Sequence, residues 1–219
     1  MFNSGLSHLI KKEFLIEFRQ KSTLAGILVY IISTVFVSAL CFKKIINPTV
    51  WNALFWVIFL FITINVSSKS FLQETKGKAL FNYMYYHPRH FILSKIIYNM
   101  LLMAVLSFIT FFFYSWFVGN MVQDLGMYLL CLLFSSTAFS GVLSLMSAIA
   151  SKASNNISLM AILSFPVLMP LILVSVKLSK FAIDGIAWSV SFKYLFVLLM
   201  LNLTVITLAT ILFNYLWKD

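Results

Sequence analysis

Apolar residues fill this chain in six long blocks, and polar residues gather between them. The blocks run roughly over 24–42, 51–68, 96–118, 125–150, 157–176 and 194–217, and none contains Asp, Glu, Lys, Arg or His. Each is about 18 residues or longer, enough for a helix rising 1.5 Å per residue to cross a hydrocarbon core of about 30 Å. Short polar connections separate them. The pattern predicts an all-α, polytopic membrane protein with six transmembrane helices, forming a single domain over 1–219.

Ahead of the first block, residues 5–21 follow another rule. Leu6, Leu9, Ile10, Phe14 and Phe18 recur at helical spacing, while His8, Lys11, Lys12, Arg19 and Gln20 lie mostly elsewhere. This segment is too charged to span and fits an amphipathic helix lying in the interface. Two readings remain open for it: a surface anchor, or an elbow that passes a partner's movement to the first span.

The polar gap over 69–95 is the longest. It mixes charge with apolar bulk: Phe71, Glu74, Gly77, Leu80, Phe81, Tyr83 and Arg89 all fall within it. Pro88 should end any helix that starts after Gly77. The aromatics fit either an interfacial belt or a surface that docks on another protein. Those seven residues are the candidates for such a docking surface.

Two blocks have internal features. The fourth carries Ser136, Ser140, Ser144, Ser147 and Ser151 at spacings of three and four, with Gly141 and Ala148 beside them. Small faces allow close helix contact in lipid; a polar strip along a transport path is the alternative. The fifth opens at Asn155 and Asn156 and contains Pro166 and Pro170. Two prolines four apart remove two amide donors, predicting a broken or strongly kinked helix that lines a cavity, absorbs motion or is merely structural.

Charge sets the orientation. The chain carries 16 Lys and Arg against six acids, a net charge of +10. The basic residues flank the spans as anchoring charges do, which argues against nucleic acid as a partner. With six spans, Lys11, Lys12, Arg19, Lys21, Lys69, Lys76, Lys78, Arg89, Lys95, Lys152 and Lys218 share one side. Only Lys43, Lys44, Lys177, Lys180 and Lys193 lie on the other. The positive-inside rule then makes the first side, and both termini, cytoplasmic. Cys41 and Cys131 both fall toward the outer face and read as packing residues, a disulfide between them being conceivable.

Candidate chemistry is sparse. No ionisable group sits inside a block to bind a coupling ion, and no glycine-rich phosphate loop is present. His8, His87 and His90 all map to the cytoplasmic side. The outer side offers only Asp124 and Asp184, which is no basis for an enzyme site. Neither a catalytic residue nor a metal or cofactor ligand is expected, so the energy for any transport has to come from another chain.

The order of features resembles the CcmB family, the B subunit of the haem-exporter ABC complex for cytochrome c maturation. The segment from Asn155 to Leu173, with Pro166 and Pro170, is similar to the family's late proline pair. Phe71, Glu74, Gly77, Leu80, Pro88 and Lys95 resemble its cytoplasmic loop, and Lys12, Glu13, Glu17, Phe18 and Arg19 its charged start. The resemblance covers nearly the whole chain. It implies an ABC-2-like permease subunit in the bacterial inner membrane, present in two copies. It further implies a cytoplasmic ATPase that binds ATP, a haem-handling membrane subunit and a small single-span subunit. Haem would be handled by the complex rather than held by this chain. An ABC-2-type permease exporting a lipid, glycan or drug is the competing reading.

Overall fold

The computed structural model describes residues 21–42, 47–72, 88–153 and 157–216. Among them are six helices: α1 (Lys21–Cys41), α2 (Pro48–Leu72), α3 (Pro88–Val118), α4 (Leu125–Ala153), α5 (Ile157–Ile183) and α6 (Trp188–Leu216). All six are long and apolar enough to cross a membrane, and no strand occurs among the described residues. The amphipathic segment expected over 5–21 lies outside the described residues, apart from Lys21, which opens α1.

The helices outrun the apolar blocks because their ends are built from polar chemistry. Asn47 caps α2: its Oδ1 accepts the Thr49 amide at 2.9 Å, and Pro48 supplies a preset φ at the first helical position. Pro88 likewise opens α3; the stretch between Gly77 and Pro88 lies outside the described residues. Asp124 caps α4, its Oδ1 accepting the Met127 amide at 3.0 Å. Gly119, at φ 100°, follows the end of α3, and Gly185, at φ 68°, follows the end of α5. Both conformations favour glycine, which lacks the Cβ that crowds the backbone there.

The largest boundary difference concerns α5 and α6. An outer connection over 177–193 was expected from its three lysines. Instead α5 continues to Ile183 and α6 begins at Trp188, leaving a four-residue turn. The turn closes on the Asp184 amide donating to Lys180 O at 2.9 Å and the Ile186 amide donating to Phe181 O at 3.0 Å. Lysine is a good helix former, and its stem can run along apolar surface with the ammonium in water, so charge did not mark the helix end. By the same extension Lys95 enters α3, where it is buried and partnered.

α4 is the axis of the bundle. It packs against α5, α3, α6 and α2, while α1 packs chiefly on α3 and α2. Each neighbour meets α4 differently. Toward α2 and α3 the contact is aromatic: Trp51, Phe55, Phe59, Phe111, Tyr114, Tyr128 and Phe139 form a continuous buried cluster, with ring centroids as close as 4.8 Å for Phe111 and Tyr128. Toward α6 the contact is small. A Cβ on Gly141 would stand 2.9 Å from Cγ1 of Val205, so the two backbones approach as near as a glycine permits. α1 buries one stripe, Ile27, Ile31 and Val35, and exposes Val29, Val37 and Leu40.

Candidate functional site

Several of the polar side chains inside the apolar helices pair with groups on neighbouring helices, while the hydroxyls of Ser67, Ser115, Tyr128, Ser140, Ser147 and Ser191 are buried without a hydrogen-bond partner. Near the end of the bundle that carries the 119–124 connection and the 184–187 turn, Asn52 of α2 donates to Val176 O at 2.9 Å and accepts from Ser179 Oγ at 2.9 Å. Trp56 Nε1 reaches the same Ser179 hydroxyl at 2.8 Å. Ser175, one turn earlier on α5, shares a hydrogen bond with Ser135 of α4 at 2.7 Å. Cys131 lies beside them, 3.5 Å from Ser175 O. Residues 175–179 of α5 are therefore fastened to both α2 and α4. Interhelical hydrogen bonds of this kind contribute about 0.6–2 kcal/mol each in membrane proteins.

The connections at this end are fastened as well. Trp51 Nε1 donates to Gly119 O at 2.9 Å, and Tyr114 Oη donates to Trp51 O at 2.8 Å. Trp188 Nε1 donates to Asp124 Oδ2 at 2.6 Å, and the Asp124 amide donates to Ala182 O at 2.9 Å. Asp124 thus caps α4 and ties it to the start of α6 and the end of α5. The result is a closed polar clasp across five helices.

The other half of α5 has fewer ties. Pro166 and Pro170 lie within it, yet the helix runs unbroken from Ile157 to Ile183. Of the break or strong kink expected at this pair, the break does not occur. Each proline removes one donor, here the partners of Ile162 O and Pro166 O. Opening the helix further would strand more backbone groups where no water can pair them, so the remaining hydrogen bonds hold. Both prolines sit on the exposed side, in line with Ile162 and Leu173, which are 71% and 66% exposed. Ser164, on the buried side, returns its hydroxyl to Met160 O. Asn155 and Asn156 lie outside the described residues.

The serine stripe is an internal contact face. Ser136, Ser140, Ser144 and Ser147 are all fully buried. Ser144 Oγ accepts from Asn99 of α3 at 2.8 Å, and Gly141 meets Val205 of α6 and Met100 of α3. One step along α4, Asn202 of α6 donates to Phe134 O at 2.8 Å and accepts from Thr137 at 3.2 Å. This bears out the helix-contact reading of the stripe.

The two cysteines are both free. Cys131 is buried and Cys41 is exposed, so the disulfide considered from sequence is absent. Of the seven docking candidates, Phe71 falls in the last turn of α2 and Arg89 in the first turn of α3. Those two helices leave the bundle at the same end, the one opposite the polar clasp. Glu74, Gly77, Leu80, Phe81 and Tyr83 lie outside the described residues. Among the described residues there is no group of three His, Cys, Asp or Glu that could hold a metal ion.

The model of the CcmB protein family matches residues 4–213. The chain belongs to the CcmB family. That membership makes it a multi-pass membrane subunit of an ABC haem-export system for cytochrome c maturation, working within a transporter complex that includes an ATPase. No curated protein matches the chain. The pairs described above join helix to helix. The interhelical set of Asn52, Ser179, Trp56, Ser175 and Asp124 was not foreseen from sequence. The signal was there: single Asn or Asp residues beside or within apolar blocks are costly unless paired.

Proposed function

We propose that this subunit converts a partner's ATP hydrolysis into a movement that loads or releases a haem chaperone on the outer face of the bacterial inner membrane. The family match over residues 4–213 carries the reading. The geometry supports it in two ways. One end of the bundle is clasped through Asp124, Trp188, Trp51 and Asn52. At the other end α2 and α3 emerge around the segment 73–87, which holds the charged and aromatic candidates for the ATPase contact. A stroke delivered there meets a stiff far end, and α5, with two amide donors missing at Pro166 and Pro170, is the most compliant path between them. Two copies of the chain, the ATPase, a haem-handling subunit and a small single-span subunit complete the assembly. Haem passes as cargo.

The orientation follows from the eleven-to-five distribution of Lys and Arg. In a background lacking Cys41 and Cys131, Asp124→Cys is expected to react with an impermeant thiol reagent on intact cells. Gly77→Cys should react only after the membrane is opened. The reverse pattern would invert the topology and move the docking segment to the wrong side for an ATPase.

The docking surface is tested by Glu74→Lys and by Gly77→Ile. Each is expected to reduce co-purification of the ATPase several-fold while the subunit still inserts in the membrane, since neither residue falls in an apolar block of the sequence. Recovery of the ATPase at wild-type levels with both variants would place the contact elsewhere, with the amphipathic segment 5–21 next to be tested.

A further inference from the structure

One polar side chain points the wrong way for a membrane. Asn65 of α2 faces outward from the bundle. The apolar span of α2 is Pro48–Ser68, with its midpoint at Ile58. Asn65 lies about two turns beyond that midpoint, roughly 10 Å along the axis, and each half of the hydrocarbon core is about 15 Å thick. Its carboxamide therefore stands at a depth that water does not reach.

Other outward polar groups within the spans satisfy themselves. The Ser33 hydroxyl donates to Tyr30 O at 3.1 Å, that of Thr204 to Leu201 O at 2.8 Å, and that of Thr207 to Leu203 O. One bond to its own helix uses the single proton of a hydroxyl. A carboxamide has two N–H donors and a carbonyl, so one such bond would leave most of it unpaired. Ser68 Oγ donates to the backbone oxygen of Asn65 at 2.7 Å, and the carboxamide itself has no partner among the described residues. Ala53, Val57 and Phe61 precede Asn65 at intervals of four and all face outward; Val57 is 52% and Phe61 57% exposed. That spacing keeps the four on one face, a stripe about 18 Å long with Asn65 as its one polar member.

The chemistry of this group selects what covers it. An acyl chain offers nothing to a carboxamide. A different helix would have to bring a donor and an acceptor to the same depth. A second copy of α2 brings both by symmetry: across a two-fold axis each carboxamide donates to the oxygen of the other. Interhelical hydrogen bonds from Asn hold helices together in lipid, and the apolar remainder of the stripe packs beside them. We infer that the outward stripe of α2 is a contact between two copies of this chain, with Asn65 paired to Asn65 of the partner subunit. The inference rests on the two-copy assembly proposed above and names the face that makes it.

The test uses the full assembly in native membranes, in the background lacking Cys41 and Cys131. Phe61→Cys, treated with a short bismaleimide, should give a homodimeric product several-fold above that from Leu101→Cys on α3 or Leu203→Cys on α6, positions of similar exposure. Val57→Cys, on the same stripe, gives an independent reading. Adding Asn65→Leu should lower the Phe61→Cys product about threefold or more, and Asn65→Gln should retain it. Leucine is at home in lipid, so insertion is not at risk. Native mass spectrometry of the same complexes counts the copies. A single copy per complex would remove the two-copy assembly and this contact with it. Two copies with no excess from the α2 positions would keep that assembly and overturn the α2 contact. So would cross-linking of these positions to another subunit, or a yield indifferent to Asn65→Leu.

Discussion

Gly141→Leu is expected to force α4 and α6 apart and to leave little folded protein. Even a single Cβ at this position would meet Val205 Cγ1 at 2.9 Å, nearer than such atoms pack. Val205 is branched at Cβ and cannot swing its methyl aside freely. Overpacking of this kind costs about 1–3 kcal/mol for a small excess, and Leu adds three more carbons in the same direction. The loss extends to the bonds Asn202 makes with Phe134 O and Thr137, which need the helices close. Thermal or detergent unfolding of the purified subunit measures it. A partner substitution sharpens the test. Gly141→Ala and Val205→Ala should each destabilise alone, but together they should cost less than their sum, because the second makes room for the first. Strict additivity would mean that the close approach of α4 and α6 does not limit stability.

Replacing Pro166 and Pro170 together by Leu has the largest expected effect on activity. The change returns two amide donors, to Ile162 O and Pro166 O, and stiffens α5 between its two halves. Both positions are exposed on the helix surface, so the larger side chains meet no buried neighbour and the subunit should insert and assemble with its ATPase. Covalent haem attachment to c-type cytochromes should then fall several-fold in a haem stain of membranes, with b-type haem unchanged. Normal c-type cytochromes in the double variant would remove α5 from the path of motion. If deletion of the gene itself leaves them normal, the haem-export role fails and export of another substrate takes its place.

Six spans could be read from the sequence because lipid demands the same thing of every residue in a spanning helix, and runs of Leu, Ile, Phe and Val report that demand directly. The ends were harder. Asn47 with Pro48, and Lys177 with Lys180, look like loop by hydropathy but act as a cap and as helix formers. The proline pair in α5 shows the opposite limit: local propensity argued for a break, and an environment without water held the helix together. The clasp at Asn52, Ser179, Asp124 and Trp188 was hardest to foresee, because it joins residues up to 127 positions apart, and one apolar block gives no sign of which other block it faces. The serine stripe with Gly141 was legible since all its members lie on one helix.

The place of α4 in the chain has a bearing on how the protein is made. Synthesis delivers α4 before either α5 or α6 exists. Its Ser135 hydroxyl, Phe134 carbonyl and Gly141 surface then have no α5 or α6 to meet, and Asp124 has no Trp188 to accept from. Those groups must wait in lipid, or against an insertion factor, until the residues from 154 to 216 have emerged, at roughly 5–20 residues per second. The central helix is thus the member of the bundle most in need of a chaperone within the membrane, and a chain interrupted after α4 would present its hydrogen-bonding face to the bilayer as a ready mark for proteolysis.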